Sequence, residues 1–491
     1  MKENSTAINN EEDDYVDFYT ERNIPFMLSK QGPQSAVADV NGDGLEDIYI
    51  GGALNQSGQL YIQTKQGFSK KEVKDFAQFK FYDVTAAVFF DVDQDGDMDL
   101  FTGGGGNFLP ATADIYQNNI FLNDGKGNFS IKAGALPISH TNCGTAIPLD
   151  YDNDGKMDLF IGSRSEPQNY GVAPKSFLFH NQGNGVFQDV TATIAPFLSN
   201  LGMITSAAWS DMNGINSKEL VIVGDWMYPH IYRFDGKKMV EQKTGLENLF
   251  GWWQQVTVSD IDNDGDADLI LGNLGDNFYL HSDETHPVKL WIKDFDQNGT
   301  LDKIFSHTIN QKDVPVFLKK DITEQIPSLK KENLKHKDFA KKSVQDLFGS
   351  AFRNAQEIRV NTNYSGIAYN TGNHQFTMQH FPVAAQLSSV NAITVADINS
   401  DGWKDILIGG NFFDMLPQFC SVDASYGSIL VNKQKGVFEM LPNQQSGIFM
   451  NGAIKKIESI QYQHKQAFVY LQNNGWPVFY QQKSIANKIG K

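Results

Sequence analysis

Nine residues recur six times along this chain in one pattern, Asp-x-(Asp/Asn)-x-(Asp/Asn)-Gly-x-x-Asp, starting at Asp39, Asp91, Asp150, Asp260, Asp294 and Asp397. Each copy runs at once into an apolar stretch that reads as a β-strand. Several like charges within nine residues repel one another unless a cation sits among the oxygens, and calcium takes oxygen ligands from loops of this kind. The pattern therefore predicts a chain that binds about six calcium ions.

The residue types at each position support that expectation. Positions one, three and five supply side-chain oxygens: Asp39, Asn41 and Asp43; Asp91, Asp93 and Asp95; Asp150, Asp152 and Asp154; Asp260, Asp262 and Asp264; Asp294, Asp296 and Asn298; Asp397, Asn399 and Asp401. Position six is always glycine, as a sharp turn around an ion requires. Position seven is Leu45, Asp97, Lys156, Asp266, Thr300 or Trp403, a freedom expected where the backbone carbonyl is the ligand. Position nine is always Asp (Asp47, Asp99, Asp158, Asp268, Asp302 and Asp405), read as a bidentate closing ligand. An EF-hand needs a carboxylate at position twelve and flanking helices. Here position twelve is Ile50, Thr102, Ile161, Leu271, Phe305 or Ile408, so the loops join strand to strand.

Around each loop a longer unit recurs: strand, acidic loop, strand, connection, strand, tight turn, strand. Antiparallel four-stranded units every 50 to 60 residues read as the blades of an all-β propeller, which stacks sheets radially and leaves few exposed edges. Eight blades are expected, with seven as the alternative. A unit near Ala207 to Val223 keeps Asp211, Asn213 and Glu219, but Ile215 replaces the central acid and the glycine is displaced to Gly214, so it reads as a blade without a firmly held ion. The loops at Asp260 and Asp294 are only 34 residues apart, which predicts a clipped fifth blade. The tail from Gly452 to Tyr480 reads as an eighth blade closed by a strand near Pro25 to Ser29. Residues 1–14 read as a polar linker and residues 15–491 as one propeller domain. Within it, about 311–356 forms a lysine-rich, helical insertion, with Ser343 to Asp346 as a helix start.

The formal charge of −17 disfavours nucleic acid and anionic membranes as partners, and six calcium ions would supply twelve positive charges and leave −5. Two distant cysteines, Cys143 and Cys420, suggest neither a disulfide framework nor a zinc site. No run of apolar residues is long enough to cross a bilayer. The opening residues lack a signal-peptide core, so the expectation is a piece of a longer exported protein, working where calcium is abundant.

The six loops, together with the segments Asp17 to Arg22 before Gly32-Pro33, Gly224 to Met227, Gly251 to Trp253, Gly272 to Gly275, Pro327 to Lys330 and Asp423 to Ser425, resemble the FG-GAP/VCBS repeat family of integrin α-subunit propellers. More closely they look like bacterial relatives of cartilage acidic protein, which often carry an ASPIC/UnbV domain; no such segment is recognisable here. The resemblance implies a calcium-stabilised propeller at the cell surface, in a larger lipoprotein or outer-membrane assembly that meets protein or glycan partners.

Signatures of catalysis are missing: no Gly-x-Ser-x-Gly elbow, phosphate-cradling loop or His-Glu-x-x-His occurs, and His140, His180 and His230 have no recurring acid partner. The expectation is a non-enzymatic binding or scaffolding module. A calcium-dependent polysaccharide lyase is the alternative, by fold-level analogy alone. Trp226, Trp252 and Trp253 are the candidate ligand-stacking aromatics; the adjacent pair should point to opposite faces of a strand.

Overall fold

The computed structural model describes residues 9–214, 217–416 and 418–482. Ile215, the residue standing in for the central acid of the fourth unit, lies outside the described residues. Among the described residues the β-branched and aromatic runs form eight antiparallel sheets, and the helices are short.

Seven sheets follow one another around a closed circuit. Their first strands are Ser35–Ala38, Asp83–Phe90, Asn142–Leu149, Met203–Asp211, Gln255–Ser259, Ala392–Ala396 and Ala453–Tyr462. Each touches the next, and the last returns to the first. An apolar cluster fills the space between every adjacent pair of sheets. Ala36, Tyr49, Val84 and Leu100 join the first to the second, and Ile48, Ile460, Ala467 and Val469 join the seventh back to the first. Burial between neighbours is what closes the ring, since each sheet is too small to hide its own faces. The first strands line an axial cavity of about 240 Å³, with Thr85, Thr145, Thr205 and Gln255 in its wall.

Because strands alternate in direction, the connections between first and second strands all lie at one end of the ring, and those between second and third strands at the other. Five of the acidic loops therefore share one end. The sixth, at Asp294, is elsewhere. It joins Val288–Lys293 to Asp302–Ile309 in the eighth sheet, which also holds Lys312–Pro315 and Gln356–Val360 and stands off the circuit.

That sheet corrects the expected accounting. The fifth sheet is not clipped: its strands Gln255–Ser259 and Asp268–Gly272 pair with Gly366–Asn370 and Phe376–His380, and residues 273–365 form one excursion between its second and third strands. The excursion thus begins well before the lysine-rich part. Its helices span Lys319–Gln325, Leu329–Glu332, His336–Phe339 and Val344–Phe348. The last starts where the sequence placed it: the Asp346 N–H donates to Ser343 Oγ (3.1 Å) and the Ser343 N–H to Asp346 Oδ2 (3.0 Å), a reciprocal cap.

The C-terminal sheet, Ala453–Tyr462, Lys465–Asn473 and Val478–Gln481, is the seventh of the circuit, and no N-terminal strand joins it among the described residues. The segment around Pro25 to Ser29 instead lies under the excursion. Phe26 bridges Met415 and the Met27 N–H donates to the Asp414 carbonyl (2.7 Å), while Ile24, Phe26 and Leu28 enter the largest apolar cluster with Phe305, Phe317 and Phe348. Both cysteines are free, and Cys143 is buried.

Candidate metal centres

Each acidic loop is folded by hydrogen bonds that its own nine residues make. The position-one carboxylate accepts the glycine N–H five residues on: Asp39 from Gly44 (2.7 Å), Asp91 from Gly96 (3.1 Å), Asp150 from Gly155 (3.0 Å), Asp260 from Gly265 (3.1 Å), Asp294 from Gly299 (2.8 Å) and Asp397 from Gly402 (2.9 Å). These glycines have φ between +81° and +100°, and nothing lies within 4 Å of an added Cβ, so backbone conformation and not space requires glycine there. The position-seven N–H then donates to the position-five side chain, as in Lys156 to Asp154 and Trp403 to Asp401 (both 2.9 Å). In four of the loops this wrapping brings oxygens of positions one, three and nine together.

Position nine does more than close the loop. Asp47, Asp99, Asp158, Asp268, Asp302 and Asp405 are all buried. One oxygen accepts the position-two N–H, as from Val92 to Asp99 and Phe295 to Asp302 (both 2.9 Å). In the five ring loops the other oxygen accepts a backbone N–H from the end of the third strand: Gln63, Asn123, Asn181, Asn370 or Asn432, at 2.7 to 2.8 Å. The carboxylate read from the sequence as a closing ligand thus also ties the loop to two strands, and each oxygen keeps a lone pair for an ion. Burial, aided by the neighbouring acids, pushes Asp99, Asp158 and Asp268 up to about 7 and Asp47 up to about 6. Asp302 and Asp405 shift the same way for the same reason.

The third-strand residue is a site component that sequence reasoning missed. Asn123 Nδ2 donates to the position-eight carbonyl of its own sheet's loop, Met98 (3.1 Å), and to the position-two carbonyl of the preceding sheet's loop, Val40 (2.8 Å). Asn181 does the same to Met157 and Val92, Asn370 to Ala267 and Met212, and Asn432 to Lys404 and Ile261. Gln63 reaches Glu46 and Gln461, and Gln482 reaches Ile398, carrying the pattern across the closure. The signal was present as a strand-ending Asn or Gln ahead of a turn in five sheets, but nothing in the sequence said that it reaches a neighbour.

The donor set fits a hard divalent cation. Oxygens of Asp91, Asp93 and Asp99, of Asp150, Asp152 and Asp158, of Asp260, Asp262 and Asp268, and of Asp294, Asp296 and Asp302 lie within 4.8 Å of one another in each group. The Oδ1 atoms of Asp93, Asp260, Asp262 and Asp296 are buried without a hydrogen-bond partner, a cost that coordination would remove. In the loops at Asp39 and Asp397 an amide, from Asn41 and Asn399, takes the third position.

In the degenerate fourth loop Glu219 is buried and accepts the Met212 N–H (3.2 Å), while Asn213 Nδ2 faces His374 Nδ1 at 3.2 Å. The loop is kept as a turn, with its third position turned to another partner. Asp264→Ala is therefore expected to destabilise the protein by about 2 to 3 kcal/mol in calcium, the stabilisation given by an ion at a hundredfold excess over its Kd. Asn213→Ala should change stability by less than about 0.5 kcal/mol, as an ordinary surface-turn change does. Equal calcium stoichiometry and equal melting in the two variants would contradict the distinction.

The aromatic candidates are not available for stacking on a ligand. Trp252 and Trp253 are fully buried and Trp226 is 6% exposed. The adjacent pair does point to opposite faces: Trp252 packs edge-on against Trp226 and Phe278 under the excursion, whereas Trp253 lies between the fourth and fifth sheets. Trp226 Nε1 donates to the Tyr170 hydroxyl (3.0 Å). These side chains are core.

Comparison with known proteins agrees with the loops. Residues 39–102 and 150–214 match the model of the FG-GAP-like repeat. No curated protein sequence matches the chain. Among solved structures it is similar to BBS1N in its complex with ARL6DN (8% identity, 94% of this chain and 95% of that one, TM-score 0.44) and to YCF48 bound to D1 peptide (9%, 97% and 99%, TM-score 0.42). It is also similar to the V. cholerae biofilm matrix protein Bap1 (10%, 98% and 90%, TM-score 0.38). The chain is an all-β propeller that carries FG-GAP-like repeats.

Proposed function

We propose that this chain is a seven-bladed, calcium-clamped propeller that works at the cell surface or outside the cell as a non-enzymatic binding and scaffolding module. The observation that carries the reading is the engagement of the acidic loops with the frame. Their ninth carboxylates hold two strands, and their position-two carbonyls are held by the neighbouring sheet. Ions placed there brace the joints between blades, and the carboxylates that a hydrolase or lyase would use are committed to that bracing.

The contact surface in this reading is the lysine-rich part of the excursion. Lys320, Lys330, Lys331, Lys335, Lys337 and Lys341 are exposed on a chain of net charge −17, and Leu334 stands among them 80% exposed. A basic projection with an apolar tip on an acidic body suits an acidic protein or glycan partner. Reversing the charges of Lys330, Lys331, Lys335 and Lys337 together is expected to weaken retention on an immobilised acidic polysaccharide or on native membrane protein at least tenfold, with the melting temperature unchanged. Incubation with a panel of acidic polysaccharides should leave the ultraviolet absorbance flat. A steady rise from unsaturated products would overturn the non-enzymatic reading and establish a lyase.

A further inference from the structure

The third acidic loop differs from the others in one respect that changes its chemistry. The residue one before the third-strand Asn or Gln is Ile62, Leu122, Tyr369 or Val431 in the other ring loops, and His180 in this one. Its imidazole is mostly buried and turns Nδ1 into the loop, 3.0 Å from Asp158 Oδ1 and 3.8 Å from Asp152 Oδ2. That nitrogen is buried and makes no hydrogen bond of good geometry, with the Asp158 carboxylate beside it as its ion-pair neighbour. Asp152, Asp154 and His180 each place a ligand atom within 4.8 Å of the other two, and Asp152 is shared with the group of Asp150 and Asp158. The Tyr151 ring stands edge-on to the imidazole, 5.9 Å away, and fixes its orientation.

Histidine nitrogen binds zinc-like ions at about 2.1 Å, whereas calcium prefers oxygen throughout, so the nitrogen donor and not the spacing is what sets this loop apart. Imidazole raises affinity along the series from manganese to zinc. Lys156 meanwhile places Nζ 2.6 Å from Asp154 Oδ2, which reduces the negative charge available to a purely electrostatic ion. By contrast, the loops at Asp91 and Asp260 each carry five aspartates and no nitrogen donor.

We infer that this loop is a mixed nitrogen and oxygen site for a divalent transition metal, ligated by His180 with Asp150, Asp152 and Asp158, in a ring whose other loops take calcium. The inference rests on the reading of the loops as divalent-ion sites, and the test separates the two.

Protein dialysed against excess calcium together with a low concentration of cobalt(II) is expected to retain one cobalt per chain, by elemental analysis, and His180→Leu none. Leucine is what the second sheet carries at this place, so the substitution keeps an apolar filler, and calcium bound at the remaining loops reports that the variant is folded. On wild-type protein loaded with manganese(II), pulsed electron paramagnetic resonance should show coupling to an imidazole nitrogen, a readout that does not depend on any variant folding. Cobalt fully displaced by calcium, equal cobalt in wild type and His180→Leu, or no nitrogen coupling would each overturn the inference while leaving calcium binding intact. Absence of any calcium from the wild-type chain would instead sink the reading of the loops themselves.

Discussion

Stripping the bound divalent ions with excess chelator is expected to lower the melting temperature by roughly 15 °C. An ion held at a hundredfold excess over its Kd stabilises the native state by about 2.7 kcal/mol, so six loops together give about 16 kcal/mol. The unfolding entropy of a chain of 491 residues is on the order of 1 kcal/mol per degree. Without ions each loop leaves three to five acids close together, and in three of the loops Asp93, Asp260, Asp262 and Asp296 have buried oxygens that have no partner. A corollary fixes the sign with pH. In chelator, Asp99, Asp158 and Asp268, raised to about 7, bind protons in the folded state that they have already lost in the unfolded one. Stability of the stripped protein therefore falls as pH rises from about 4 to about 7 and is level above. With calcium the ion competes against those protons, and its stabilisation grows over the same interval. The gap between the two melting curves should widen from pH 4 to pH 7. An unchanged melting curve in chelator, with metal loss confirmed by elemental analysis, would refute the structural role of the ions.

The second large effect is expected from the asparagines that join one sheet to the next. Asn432→Ala removes two donations, to the buried Ile261 carbonyl and to the half-buried Lys404 carbonyl, and leaves the first without that donor away from water. A lost hydrogen bond with a buried group left unsatisfied costs about 1 to 3 kcal/mol, so the pair should cost about 3 kcal/mol in all. Because Ile261 belongs to the loop of the preceding sheet, calcium at Asp260, Asp262 and Asp264 should also bind several-fold more weakly, although no ligand has changed. Asn432→Asp keeps the shape but sets a carboxylate against two carbonyls and Asp405, and should be at least as damaging. Asn128→Ala, an exposed turn residue bonded to Asp124, serves as the control. Calcium titration of the variants is decisive: unaltered affinity and unaltered melting in Asn432→Ala would show that the sheets are held by apolar packing alone.

Features that close within a few residues can be read from residue order alone. The six loops were legible in full because their folding depends on contacts two to five residues apart, such as Gly155 to Asp150 and Lys156 to Asp154, and spacing alone specifies those. The helix start at Ser343 was legible for the same reason. The strand runs and their ending glycines sufficed for an all-β repeat fold. Tertiary structure decided everything that depends on which surfaces meet. Gly366–Asn370 pairs with Asp268–Gly272 across an excursion of more than ninety residues because the apolar faces of Ile270, Ile367 and Ile406 are buried together, and no local signal counts that distance. The same competition for burial placed the Asp294 loop off the circuit and drew Phe26 under the excursion instead of into the last sheet. It also buried Trp252 and Trp253 in two different clusters and turned Asn370 toward a carbonyl 158 residues away. Local hydrogen bonding fixes each loop; only the packing of sheet against sheet fixes what each loop holds together.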